Sequence, residues 1–391
     1  MLNRFSLAGM AAYSAAGAVV VGAGSGAPTP LYRLYAKTMG LTPLLVTLVF
    51  AIYVLFLLAA LLTVGRLSDY IGRRPVICGA LVLNGVALAL FAGAAEVSQL
   101  LLARAVQGVA VGAATTTLAA AIMDTAPARA SLLNGVSAFV GLGLGALSAA
   151  ALVTFAPDPL HLVYEVLFVL TAVLLALLAF MPETTKSRPG ALAAMRPNVR
   201  VPQSSRATFL RITPANIAGW ALGAFYLSLM PSVVATTLNV SSPLVGGVVV
   251  ATLMLTGAAC VALFNGWTAQ RLIFWGTSVL ALGVAVSLVG IFMARVELLI
   301  LGTLIAGFGF GTNFSGTLRV LLPTCGPTER AGLLSAFFIE SYIAFSVPAV
   351  AAGLSVPRIG LAVTAYIYGS LVIGLALVSF AAAVRAGRAQ V

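Results

Sequence analysis

Three groups of residues in this chain have the types and spacings to do chemistry. Arg104 and Glu340 are ionisable side chains set inside long apolar runs, where a charge is costly unless it meets water, a partner or a charged solute. A carboxylate resists ionisation in a low dielectric, so Glu340 is a candidate proton carrier or counter-ion for a cationic solute. Its plainer reading is a static hydrogen bond to a neighbouring helix, with Ser341 and Tyr342 able to satisfy it locally. Arg104, followed on or near the same helical face by Gln107, Gly108 and Gly112, is a candidate for coupling or for contact with an anionic substrate. Its plainer reading is a buried arginine bonded to carbonyls. The third group is the charged turn Gly65-Arg-Leu-Ser-Asp69-Tyr-Ile-Gly72-Arg73-Arg74, wedged between two apolar runs.

The elements that must position these residues follow from composition. With 61% hydrophobic and 8% charged residues over 391 positions, the chain has too little polar surface for a soluble globule and belongs in a membrane. A helix needs roughly 20 apolar residues to cross a hydrocarbon layer about 30 Å thick. The sequence holds about twelve such runs, near 8–29, 42–65, 74–94, 98–122, 132–154, 160–181, 214–236, 244–264, 273–293, 297–321, 331–354 and 360–384. They are too long and too continuously apolar for barrel strands, which leaves helices. The first run, preceded by Arg4 and ending in small residues, would also suit a secretory leader; counting it as a span gives an all-α polytopic protein of 12 transmembrane helices.

A net charge of +12 is of the kind that attracts nucleic acid, but it tracks alternate loops. With a cytoplasmic N-terminus, the inner loops and tails hold sixteen basic residues, including six from Lys186 to Arg211, whereas the outer loops hold only Arg33, Lys37, Arg295 and Arg358. Both termini are therefore expected on the cytoplasmic side, with Asp69, Arg73 and Asp124 on that surface. Cys78, Cys260 and Cys325 are scattered and suggest neither a disulfide framework nor a metal site. No phosphate-binding loop or nucleophile–base constellation is present, and the single histidine, His161, falls in an outer loop. The expectation is a protein with no cofactor, no metal, no nucleic-acid partner and no enzymatic activity.

The longest polar interval separates six helices from six others, dividing the chain into halves at 1–181 and 214–391 with a cytoplasmic linker at 182–213. An internal repeat supports the division: Gly108-Val-Ala-Val-Gly112 recurs as Gly307-Phe-Gly-Phe-Gly311, an offset of 199. Pro127 and Arg129 before Leu132 likewise resemble Pro327 and Arg330 before Leu333. At the same offset Arg104 matches the uncharged Thr303, so the halves are pseudo-symmetric without being equivalent. Two repeated bundles are the trace of an alternating-access transporter.

Gly65, Leu67, Asp69, Gly72, Arg73 and Arg74 together resemble the loop motif that joins helices two and three in the major facilitator superfamily. The resemblance implies a conformational latch of Gly65, Asp69, Gly72, Arg73 and Asp124, in which Asp69 engages helix eleven near Ala331 to Leu334 and Arg73 pairs with Asp124. A carboxylate at a helix N-terminus contributes roughly 0.3 to 1 kcal/mol, enough to bias a rocking equilibrium without locking it; plain positive-inside anchoring is the alternative. Arg104-x-x-Gln107-Gly108 resembles the superfamily's second motif, associated with proton-coupled members. Helix five, Gly141 to Ala150, resembles the antiporter motif only in outline: Ala146 replaces its proline and Ala149-Ala150 its two glycines, and small-residue packing accounts for what remains.

With the fold so implied, one line in helix seven (Asn216, Trp220, Gly223, Tyr226) and one in helix ten (Ala306, Phe310, Asn313, Thr317) are expected to border a central cavity. The coupling or substrate candidates are then Arg104, Gln107, Glu340, Asn313, Tyr226 and Trp220. Glu165, in helix six, reads as structural. The expected function is proton-coupled export of a small organic compound across a bacterial cytoplasmic membrane, with solute, protons and membrane lipid as partners and a monomeric state. Proton-coupled import of an organic anion or sugar is the alternative, and a non-transporting membrane receptor or assembly factor a remote one.

Overall fold

The computed structural model describes residues 4–326 and 328–388. Twelve long helices run α1 (Arg4–Gly26), α2 (Pro43–Thr63), α3 (Arg73–Ala92), α4 (Val97–Thr125), α5 (Ala130–Phe155), α6 (Pro159–Leu178), α7 (Gln203–Ser228), α8 (Pro243–Leu263), α9 (Ala269–Phe292), α10 (Val296–Leu321), α11 (Arg330–Ile359) and α12 (Leu361–Arg388). Eleven stretches are long and apolar enough to cross a membrane, or twelve if α7 and the bent segment after it form one span. Large apolar side chains such as Leu55, Val169 and Leu371 point outward, an exposure that hydrocarbon rather than water suits.

The chain divides into two compact units, an N-terminal unit of Met1–Leu41 and Val49–Pro197 and a C-terminal unit of Thr42–Leu48 and Asn198–Val391. The change of unit at Pro197 falls inside the expected linker. However, α7 begins at Gln203 rather than near 214, and Pro214 lies within it. An apolar window measures hydrocarbon length; the polar first turns of α7, with Arg206, Arg211 and Thr213, extend the helix beyond that window.

The first helix of each unit is interrupted by proline. Helix α1 gives way after Gly26 to a second segment, Pro28–Met39, and α7 gives way to Met230–Thr237 with a bend of 52°. Proline lacks the N–H that would close the bond four residues back, so Pro28 cannot donate to the Gly24 carbonyl nor Pro231 to that of Leu227.

The repeated glycines act alike within each unit. A Cβ on Gly108 or Gly112 would lie 2.5 Å from the carbonyl oxygens of Tyr53 or Leu57 in α2. A Cβ on Gly307 would lie 2.7 Å from the Thr256 Cβ, and one on Gly311 would collide with Gly257, both in α8. In both units, then, the fourth helix lies backbone to backbone on the second because glycine stands at these positions. Pro327, the other repeat position, lies outside the described residues. In α5 the antiporter-like stripe packs in the same way: a Cβ on Gly22 of α1 would meet the Gly141 Cα at 3.2 Å.

Candidate functional site

In the N-terminal unit, the turn between α2 and α3 gathers charge. The chain leaves α2, makes a short helical turn at Ser68–Ile71, and enters α3 through Gly72 at φ 102°. Left-handed backbone of this kind favours glycine, and a Cβ there would also lie 2.7 Å from Glu183 Oε2. A Cβ on Gly65 would run into the Leu61 carbonyl. Arg73 is held on three sides: Nε donates to Asp124 Oδ2 at 2.9 Å, and Nη1 to Asp69 Oδ1 at 2.5 Å and Ser68 Oγ at 2.7 Å. Its side chain is 7% exposed, against 38% for Asp69 and 28% for Asp124, so the guanidinium sits under two carboxylates that still meet solvent.

Sequence reasoning missed the residue that secures this turn. Glu183, just past α6, accepts the backbone N–H groups of Arg73 at 2.7 Å and Arg74 at 2.9 Å. It also accepts those of Thr184 and Thr185. Helix α3 starts from a glycine, which has no side chain to cap the first free amides; Glu183 supplies the acceptor and adds negative charge at the positive end of the helix dipole. The linker continues the contact. Thr184 and Thr185 donate to Asp124, and Arg188 donates to the Asp69 carbonyl while stacking 4.4 Å over the Tyr70 ring. A helix whose N-cap is glycine, and a carboxylate opening the linker, were the available signals.

Deeper in the same unit, Arg104 lies roughly 10 Å along α4 from Val97 and is 1% exposed. Nη1 donates to Gln107 Oε1 at 2.8 Å and the Ser25 carbonyl at 3.5 Å, and Nη2 to Tyr32 Oη at 2.5 Å. The rings of Tyr32, Tyr53 and Phe91 face the guanidinium carbon at 5.8, 5.2 and 5.5 Å. Among the described residues no salt bridge includes Arg104. Gln107 Nε2 donates to the Gly24 carbonyl at 2.9 Å, so the pair also ties α4 to the broken end of α1.

In the C-terminal unit, Glu340 lies roughly 15 Å along α11 from Arg330 and is half-buried. Oε1 accepts from Thr213 at 2.5 Å and Oε2 from Asn216 Nδ2 at 2.9 Å, and Asn216 also meets Ser341. Trp220, one turn beyond Asn216, lies edge-on to Tyr342 and Phe345 at 5.0 and 5.6 Å between centroids, and tilted toward Phe314 at 6.4 Å. Side chains two residues apart leave a helix about 200° apart, so Glu340 and Tyr342 flank the α7 contact from opposite edges. The carboxylate meets Asn216 and the aromatic cluster meets Trp220, one turn apart on α7. The expected cavity-bordering line needs correction at Tyr226. It is 1% exposed and its hydroxyl bonds Thr303 at 2.8 Å and Ser287 at 3.4 Å, which makes it a brace of α7 against α9 and α10. Asn313 is equally enclosed and donates to the Ala215 carbonyl at 2.7 Å. Glu165 is exposed on α6.

A family model described as Major Facilitator Superfamily matches residues 14–339. The chain belongs to the major facilitator superfamily. It is accordingly a multi-pass membrane transporter and not an enzyme. A solved structure of the MFS proton:xylose symporter XylE, bound to 6-bromo-6-deoxy-D-glucose, is similar with a TM-score of 0.67 at 14% identity, over 96% of this chain and 94% of that one. At that identity the likeness speaks for the fold alone. No curated protein sequence matches the chain. Within the superfamily frame, the Arg73–Asp124 pair implied by the loop motif is present, and the Arg73–Asp69 and Glu183 contacts are additions of this structure.

Proposed function

We propose that this transporter couples solute movement to protons and exports a small organic compound from a bacterial cell, with both termini cytoplasmic and the protein acting as a monomer. The observation that carries the reading is Glu340. It is a carboxylate deep in a spanning helix, half-buried, donated to by Thr213 and Asn216, with no basic partner among the described residues. A proton carrier needs that combination of access and an uncompensated charge. One proton moving down a potential of 100 mV provides about 2.3 kcal/mol, enough to sustain roughly a fifty-fold gradient of a neutral solute. The Asp69–Arg73–Asp124 cluster is assigned to the conformational equilibrium between the two access states.

Arg104 favours a second reading, import of an organic anion with protons, because it is a buried cation with no carboxylate partner among the described residues. We rank it second because Arg104 is ringed by aromatic side chains and 1% exposed, whereas Glu340 is half-buried. Solute-dependent pH change in proteoliposomes with an imposed proton gradient separates the two. Dissipation of the gradient by exchange supports export, entry of solute together with protons supports import, and indifference to every proton gradient sinks proton coupling.

A further inference from the structure

The Arg104 site has more donors than acceptors, and Nε is a donor left over. The Nε and Nη2 nitrogens share the side of a guanidinium on which a carboxylate docks with two parallel bonds. Here Nη2 reaches the Tyr32 hydroxyl at 2.5 Å, while Nε, buried, has no hydrogen-bond partner. Tyr32, accepting from Arg104, still has its own O–H to give. The nearby Tyr164 is in the same condition, since it accepts from Tyr35 at 2.9 Å and its ring stacks 4.8 Å from Phe91, itself facing Arg104.

Arginine cannot shed its proton in a protein, so this charge cannot be removed by deprotonation. Three ring faces, one carbonyl, the Gln107 amide oxygen and the Tyr32 hydroxyl oxygen compensate it in part, and no carboxylate joins them among the described residues. A buried cation with a bare donor beside a hydroxyl donor is the chemistry of an anion site.

We propose that the Nε edge of Arg104 binds a monovalent anion, a carboxylate or a halide, bridged between the Arg104 Nε–H and the Tyr32 O–H. The site lies wholly within the N-terminal unit. It goes beyond the transport reading above, since an anion there can be a resident ion or the acidic group of a solute.

The test is the thermal unfolding of the purified full chain at constant ionic strength, titrating sodium chloride or sodium benzoate against sodium gluconate. The expected result is a saturable rise in melting temperature that Arg104→Gln abolishes, Tyr32→Phe displaces to roughly ten-fold higher anion concentration, and Glu340→Gln leaves in place. Saturation by chloride identifies an inorganic occupant, and saturation by benzoate at lower concentration identifies an organic acid; either supports the site. A melting temperature indifferent to the anion, or an equal rise in Arg104→Gln, overturns it. If Arg104→Gln does not fold, Tyr32→Phe decides alone, an unshifted titration counting against the proposal. No gradient is imposed, so failure here and failure of proton coupling remain distinct.

Discussion

Gln107 donates its side-chain amide to the carbonyl of Gly24 at 2.9 Å, the carbonyl that would accept from residue 28 if residue 28 were not proline. The helical register is intact up to that point, with Ala27 N–H bonded to the Ala23 carbonyl at 2.9 Å. A residue on α4 therefore supplies from outside the donor that α1 lacks. The carbonyl left free by the break in α1 is satisfied by Gln107.

A double-mutant cycle follows from this pairing. Gln107→Leu should destabilise the protein by about 1–3 kcal/mol, the cost of a buried acceptor left unmade. Pro28→Ala restores a backbone N–H within reach of the Gly24 carbonyl, so the same Gln107→Leu change should cost less than half as much in that background. Reversible unfolding in mixed micelles measures the coupling. Additive effects would mean that Gln107 matters only through Arg104.

These contacts mark where sequence reasoning stops. The spans were legible because hydrocarbon imposes a length on apolar runs, and the repeat was legible because glycine at Gly108 and Gly311 is demanded by backbone contact. The motif turn was legible in its Arg73–Asp124 pair. Glu183 was not, because its partners are backbone amides, which carry no residue identity. Nor was the Gln107–Gly24 bond, which depends on which face of α4 meets α1. Tyr226 was misplaced for a related reason: a line of side chains along α7 shows a shared face but not whether a neighbouring helix covers it.

The Glu183 cap should be measurable apart from transport. Glu183→Ala leaves the Arg73 and Arg74 amides without their acceptor and should cost about 1–2 kcal/mol, with Glu183→Gln losing less because one oxygen remains. Since Glu183 also folds the linker back on itself, trypsin should cut Glu183→Ala faster after Lys186. Unchanged digestion would show that the Thr184, Thr185 and Arg188 contacts hold the linker without it.

Asp69→Asn tests the latch. Asp69 is 38% exposed, so losing its ion pair should change stability by less than about 1 kcal/mol, while Arg73 retains Asp124. The conformational equilibrium should nevertheless shift, read as altered labelling of single cysteines placed at either end of the helices. If labelling and transport both stay at wild-type levels, the turn serves only to anchor the loop.

The sharpest test of coupling is Glu340→Gln. The amide preserves size: its oxygen can accept from Asn216, which bonds the carboxylate at 2.9 Å, while its NH2 donates to the Thr213 hydroxyl, whose own O–H has the Phe209 carbonyl to turn to, so folding should survive. What it loses is the exchangeable charge. In proteoliposomes the variant should move solute down its own gradient yet fail to build one from an imposed pH difference, and its transport rate should no longer vary with pH. A pH profile matching the wild type would remove Glu340 from the mechanism and leave it as a hydrogen-bonded strut between α7 and α11. The coupling role would then have to be sought around Arg104, where Arg104→Lys offers the corresponding test: lysine keeps the charge but cannot reach Gln107 and Tyr32 together with the geometry of a planar guanidinium.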